Sequence, residues 1–170
     1  RLNERIRITE VGPRDGLQNE TTPISTQAKI DLVESLVDAG VTQIEVTSFV
    51  HPIRVPAMSD AESVFTGVRR REGVRYMTLT PNERGYDRAR AVGCDAVAVF
   101  TAASEAFAQA NIQSSIADSL ERFRVVAGRS NSDQVYLRGY VSTVFDCPYA
   151  GPVDPESVLE VVESLLEMGC

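Results

Sequence analysis

The sequence predicts an α/β fold of alternating short buried strands and amphipathic helices, on three observations. Five short apolar runs, residues 6–11, 43–47, 76–79, 96–100 and 135–141, are continuous in hydrophobicity, as parallel strands covered on both faces are. Between them lie stretches of helical period with recognisable start and stop residues. No linker or low-complexity segment interrupts the alternation, and each strand-then-helix unit is about 30 residues long.

Taken in order, the first run leads into GPRDGLQNE, residues 12–20, where Gly12 and Gly16 are expected to let the backbone bend sharply and Pro13 to restrict it. Thr26 is expected to cap the first helix, whose apolar face is Ile30, Val33, Leu36 and Val37, and Gly40 to end it in the left-handed conformation closed to most residues. The stretch after Pro56 is also expected to be helical, on a weaker period. Arg69, Arg70 and Arg71 decorate the end of a helix, where the dipole favours cations, and need no ligand. Asn82 caps a helix ending near Gly93. Ser115 followed by Asp118 is a capping arrangement for a helix that places Ile116, Leu120, Phe123 and Ala127 on one face before Gly128. Asp154, with Pro155 at the first helical position, opens the last helix, which buries Val158, Val161, Val162 and Leu165 and closes at Gly169.

Five such units fit two architectures. A doubly wound sheet of five strands is complete at this length; an eightfold barrel takes about 250 residues, so the chain would be its first five-eighths. Strand count favours the sheet. The strand ends favour the barrel, because polar groups follow every run: Arg14 and Asp15, then Glu45, Thr47 and Ser48, then Thr80 and Asn82, then Thr101 and Ser104, then Ser142. Barrel enzymes gather their catalytic residues at the C-terminal ends of strands. The first loop also lacks GxGxxG and the P-loop pattern, which weakens a nucleotide-binding reading.

Composition bounds the partners. A chain of 170 residues with 43% apolar content can form one compact domain, residues 1–170. A net charge of −7 offers no basic footprint for nucleic acid. No apolar segment approaches the ~20 residues of a membrane span, and no charged-then-apolar leader precedes the first run. A cytoplasmic location is expected, or the mitochondrial matrix in a eukaryote; the first residue is Arg rather than Met, which fits a processed or missing start. Cys94, Cys147 and Cys170 are an odd, widely spaced set that suits reduced, buried thiols.

The chemistry concentrates in GPRDGLQNE. Asp15 offers a hard carboxylate oxygen to a divalent cation, and Arg14 a permanent positive fork for a carboxylate, a phosphate or a developing oxyanion. Glu45 lies inside the apolar run QIEVTSF, where a carboxylate is costly unless paired, and Arg14 on the neighbouring segment is the obvious partner. Spacing leaves two readings of the trio, a catalytic group or an ion-pair network that staples two strands.

ITEVGPRDGLQNE, IEVTSFVHPIRVPAM, LTPNERGYDRA, FTAASEAFAQANI and RGYVSTVFDCPYAG closely resemble the 3-hydroxy-3-methylglutaryl-CoA lyases of the DRE-TIM metallolyase superfamily, over essentially the whole chain. The resemblance implies a TIM (β/α)8 barrel, of which this chain covers about the first five β/α units. It also implies metal-dependent cleavage of 3-hydroxy-3-methylglutaryl-CoA to acetyl-CoA and acetoacetate, with Mg²⁺ or Mn²⁺ bound. Under it Asp15 is the metal ligand, Arg14 stabilises the enolate, and Glu45 orients Arg14. Gln18, Ser48 and Tyr140 would line the substrate pocket, with Asn111 and Ser115 near the CoA arm. The partner is an acyl-CoA thioester, with no nucleic acid and no membrane, and the full-length protein is expected to be a homo-oligomer.

Two residues do not inherit family roles. The family's metal-binding histidines form a His-x-His pair on a later strand, so His51 is expected to be an ordinary surface residue. The reactive cysteine belongs to a later glycine-rich loop, which Cys147 only superficially matches. His51, Pro52, Ile53 and Arg54, and then Gln109 and Ala110, stand where relatives often carry more cations, which bears on the CoA contacts and the acyl preference. The family's sixth strand should begin just after Cys170, so the chain is expected to lack part of the active site and to be inactive alone. The alternatives are a lyase for a longer-branched 3-hydroxyglutaryl-CoA and a noncatalytic truncated module.

Overall fold

Four of the five apolar runs become strands close to their expected bounds: β1 (Gln43–Ser48), β2 (Arg75–Leu79), β3 (Ala96–Ala102) and β4 (Tyr136–Ser142). The computed structural model describes residues 6–170 and divides into two units. One runs to Leu79 and includes Asp87–Ala96; the other comprises Thr80–Tyr86 and Val97–Cys170.

In the first unit β1 and β2 pair in parallel, from Gln43 opposite Arg75 to Ser48 opposite Leu79, with a bulge between Glu45 and Thr47. The first run is a correction. Residues 6–9 form no strand, Ile6 and Ile8 are 90% and 79% exposed, and only Glu10 joins, as an isolated parallel bridge to Ile44. Among the described residues this segment has a ladder partner on one side only and nothing over its isoleucines, so little offsets the entropy of ordering it.

Helix α1 (Thr26–Asp38) buries Ile30, Val33 and Val37 as its period requires, while Leu36 is only half-buried. Its cap is Ser25 rather than Thr26: the Ser25 hydroxyl accepts the Ala28 N–H at 3.2 Å, and the Thr26 hydroxyl donates to Asp60 at 2.7 Å. Gly40 ends the helix at φ +101°. Pro56 opens a 3-10 turn (Pro56–Met58) that precedes α2 (Ala61–Gly67). Buried Lys29 joins the two helices, donating to the Ala57 carbonyl at 2.6 Å and to Asp60 at 2.7 Å. The arginine run follows α2 and acts as a set of ties. Arg69 forks onto Glu34, Arg71 pairs with Asp38, and Arg70 donates to the Val92 and Gly93 carbonyls beyond the next helix. The Arg69 hydrogen bonds hold the Glu34 carboxyl below its ordinary range.

Helix α3 (Glu83–Ala91) is capped by Asn82, which accepts the Gly85 N–H at 3.0 Å. In the second unit β3 and β4 are neighbours. A short helix α4 (Glu105–Ile112), capped by Ser104, and a small antiparallel hairpin of β5 (Asp146–Cys147) and β6 (Gly151–Pro152) add to the elements expected from the sequence. Helix α5 (Ile116–Ser132) starts at Ser115 as expected but runs through Gly128, a second correction. A glycine inside a helix costs about 1 kcal/mol, which burial of Val126, Ala127 and Ser130 around it offsets. Helix α6 (Pro155–Glu167) has the expected Asp154 cap, buries Val161 and Leu165, and ends at Gly169 with φ +96°. Among the described residues no helix is long and apolar enough to cross a membrane.

Candidate active site

The stretch Gly12–Gly16 closes into a single π-helical turn, in which the Arg14 and Asp15 N–H groups both donate to the Val11 carbonyl, at 3.1 and 2.7 Å. Neither glycine takes a positive φ, so the expected sharp bend is not their contribution. Gly12 meets a close approach instead: the Glu10 carboxylate accepts its N–H at 2.6 Å, and a Cβ there would lie 2.8 Å from the same oxygen, at the movable end of the Glu10 side chain. The Asn19 side chain donates to the Asp15 carbonyl at 2.9 Å and tightens the far end.

This turn delivers a guanidinium between two carboxylates. Arg14 Nε donates to Glu45 Oε1, and Nη1 donates to Asp15 Oδ1 at 2.6 Å. The Glu45 side chain is fully buried, that of Arg14 is 13% exposed and that of Asp15 is 56% exposed. The three therefore form a graded line from core to solvent, with a planar fork satisfying two acids at once. Glu45 Oε2 has no hydrogen-bond partner among the described residues. The pairing of Arg14 with Glu45 is the one that burial cost demanded from the sequence.

Ser48 reaches the Glu45 side of the strand by way of the bulge. Strict alternation would place residues 45 and 48 on opposite faces. The Thr47 hydroxyl contacts Met58 Sδ at 3.6 Å, on the helix side, so Ser48 points the other way and the bulge re-phases it onto the face of Glu45. Ser48 is buried and its hydroxyl has no hydrogen-bond partner among the described residues. Gln18 lies half-buried immediately after the turn.

The remaining candidates belong to the second unit. Tyr140 is half-buried on β4. A Cβ on Gly139 would lie 3.0 Å from Leu165 of α6, so Arg138 and Tyr140 share the face away from that helix, with the Arg138 guanidinium 5.1 Å from the Tyr140 ring. Asn111 is exposed near the end of α4. Ser115 is already committed as a cap: its hydroxyl accepts the Asp118 N–H at 3.0 Å and donates to the Asp118 carboxylate at 2.7 Å. His51 is exposed, as expected of a surface residue.

Two features are additional to the expected site residues, the contact of Glu10 and the partner of Cys147. Glu10 could have been found by the signal that found Glu45, a carboxylate inside an apolar run. The second is Cys147, buried beneath α4, whose sulfur accepts the Ser104 hydroxyl at 3.0 Å. Burial pushes its pKa up, but the Ser104 hydroxyl and the backbone N–H groups of Tyr149, Ala150 and Phe107 outweigh that and leave it below the ordinary thiol value. Nothing short of the fold relates residues 104 and 147. By contrast burial dominates at Cys94 and at Cys170, the latter pushed up to about 11.

As a metal ligand Asp15 has the right chemistry, an exposed hard oxygen donor. Among the described residues no three His, Cys, Asp or Glu side chains converge, whereas a magnesium site seeks about six oxygens.

Residues 5–170 match the HMGL-like family model. A 3-hydroxy-3-isohexenylglutaryl-CoA/hydroxy-methylglutaryl-CoA lyase of Pseudomonas aeruginosa is 52% identical over 169 residues, covering 99% of this chain and 56% of that protein. The human mitochondrial hydroxymethylglutaryl-CoA lyase is 45% identical, covering 99% of this chain and 52% of that protein. The crystal structure of hydroxymethylglutaryl-CoA lyase from Pseudomonas aeruginosa matches with a TM-score of 0.94 at 52% identity, over 98% of this chain and 55% of that one. An HMG-CoA lyase from Acinetobacter baumannii, in complex with coenzyme A and 3-methylmalate, matches with a TM-score of 0.89 at 35% identity, over 95% and 52%. The chain spans about half the length of the curated relatives it matches. These likenesses make the fold part of a (β/α)8 barrel and set aside the five-stranded sheet.

Proposed function

Because this chain belongs to the HMGL-like family, we propose that it is the N-terminal part of a divalent-metal-dependent lyase that cleaves 3-hydroxy-3-methylglutaryl-CoA to acetyl-CoA and acetoacetate. We assign residues 1–170 to a single catalytic barrel domain of a longer, homo-oligomeric protein. Its location would be cytoplasmic, or the mitochondrial matrix in a eukaryote.

The observation that carries the reading is Arg14 held between buried Glu45 and solvent-facing Asp15. Cleavage removes a proton from a tertiary hydroxyl while negative charge accumulates on a thioester enolate. A fixed guanidinium stabilises that charge, which exists in the transition state and not in the starting thioester. Glu45 holds the Arg14 plane through Nε, leaving the outer part of the fork directed by the turn, and its burial keeps the pair from swinging into solvent. Asp15 is the residue that would hold Mg²⁺ or Mn²⁺, which when bound supplies Lewis-acid polarisation of the substrate oxygens. Its Oδ1 is engaged by Arg14, so the same carboxylate ties the arginine to the metal position. Gln18, Ser48 and Tyr140 take substrate-lining roles and Asn111 and Ser115 roles near the CoA arm, on resemblance. For Ser115 the role passes through the helix end it caps, since its hydroxyl is spent on Asp118.

A thioester-cleavage assay with added Mn²⁺ tests this. The full-length polypeptide carrying this segment is expected to turn over, and the 170-residue chain is not; turnover by the short chain would overturn the assignment of the missing ligands to other parts of the protein. A second reading, a lyase for a longer-branched 3-hydroxyglutaryl-CoA, is favoured by the Pseudomonas aeruginosa relative named for both the isohexenyl and the methyl substrate. Relative kcat/KM across substrates of increasing C3 chain length decides between them.

A further inference from the structure

The Arg14–Glu45 pair depends on a residue outside the trio. Glu10 is the only residue of the N-terminal segment that bridges to β1 among those described. Its N–H donates to the Gln43 carbonyl at 2.9 Å, and its carbonyl accepts the N–H of Glu45 at 2.8 Å. Its side chain then turns forward and accepts the Gly12 N–H at 2.6 Å, at the first residue of the turn that presents Arg14. Arg14 returns to Glu45. The bonds form a closed ring running Glu45, Glu10, Gly12, the turn, Arg14 and back to Glu45. Both the guanidinium and its acceptor are thus located relative to one residue, through its main chain on one side and its carboxylate on the other.

The geometry points to Glu10 as a positioning residue for the reaction. Its carboxylate oxygen fixes the entry of the Gly12–Gly16 turn and so sets where Arg14 and Asp15 stand relative to Glu45. The role needs an acceptor at one distance and not a negative charge, because the Gly12 N–H is a neutral donor. A residue without a side-chain acceptor at position 10 leaves the Gly12 N–H without this partner and the entry of the turn unfixed.

The kinetic arm of the test rests on the lyase reading; a second arm does not. In the full-length polypeptide, E10Q keeps the acceptor and loses the charge, while E10A removes both. E10Q is expected to hold kcat within about threefold of the parent, and E10A to lower it roughly tenfold to a hundredfold with KM within about twofold, the signature of misplaced rather than missing catalytic groups. In the same proteins the Arg14 Nε–H signal, followed by ¹⁵N NMR, is expected to keep its position and slow exchange in E10Q and lose both in E10A. Native-like kinetics and NMR in E10A, or impairment of E10Q equal to that of E10A, would overturn the proposal. If the parent cleaves no thioester, the lyase reading falls while the NMR comparison still decides the role of Glu10.

Discussion

Arg14 matters because it answers two acids at once, and that is a geometric property of its side chain. Lysine keeps the charge but cannot donate from two fixed nitrogens to Glu45 and Asp15 together. Under the proposed lyase reading, R14K in the full-length polypeptide is expected to lower kcat about a hundredfold with a small change in KM; steady-state kinetics showing unchanged kcat and raised KM would reassign Arg14 to substrate binding. A second pair sits under α1. Burial alone would raise the pKa of Asp60, but hydrogen bonds from Lys29 and Thr26 and the charge of Lys29 outweigh it and hold the carboxyl low. A folded-state pKa below the unfolded value of about 3.9 contributes stability that is present above that value and lost as pH falls through the folded pKa. D60N strands buried Lys29 and is expected to cost about 3 kcal/mol near neutral pH. It should also flatten the acid limb of stability, which urea titrations at pH 7 and pH 3 measure. The need for a partner at Glu45 was legible because a buried carboxylate is costly wherever it sits. The Lys29–Asp60 contact was not, since both residues look like ordinary surface charges in the chain.

At the scale of elements, caps were read to within a residue and terminators less well. Ser115, Asn82 and Asp154 each cap as expected, because the cap is a local contact between a side chain and an N–H two or three residues on. S115A is expected to destabilise the protein by about 1 kcal/mol, seen as a lower urea midpoint. Weaker CoA binding without that shift would instead mark a direct ligand contact. Gly128 has the residue type of a helix ending, yet α5 passes through it because tertiary burial on both sides outweighs one poor residue. A Cβ there meets no atom within 4 Å, so G128A should stabilise by about 0.5–1 kcal/mol, measured by the same denaturation. The bulge in β1 belongs to this scale too. No residue type announced it, and it decides which face Ser48 occupies.

For the whole molecule, the prediction concerns metal. Of the two carboxylates beside Arg14 only that of Asp15 is exposed, and among the described residues no three His, Cys, Asp or Glu converge, so the 170-residue chain is expected to bind Mn²⁺ no more tightly than the millimolar range typical of weak oxygen sites, and D15A should leave that affinity unchanged. Equilibrium dialysis or water-proton relaxation with the short chain and the full-length protein measures the difference. Micromolar binding abolished by D15A in the short chain would mean that its own residues complete the site.

The sequence by itself determined the alternation of strands and helices, most caps, the need of Glu45 for a cation, and the turn that supplies it. Each follows from local periodicity or from the cost of a buried charge. Only the tertiary structure decided that residues 6–9 stay outside the ladder, that Gly12 serves a contact rather than a bend, that Ser48 joins the face of Glu45, and that Glu10 anchors the ring. Those outcomes depend on what lies across from a residue, and spacing along a chain does not encode that.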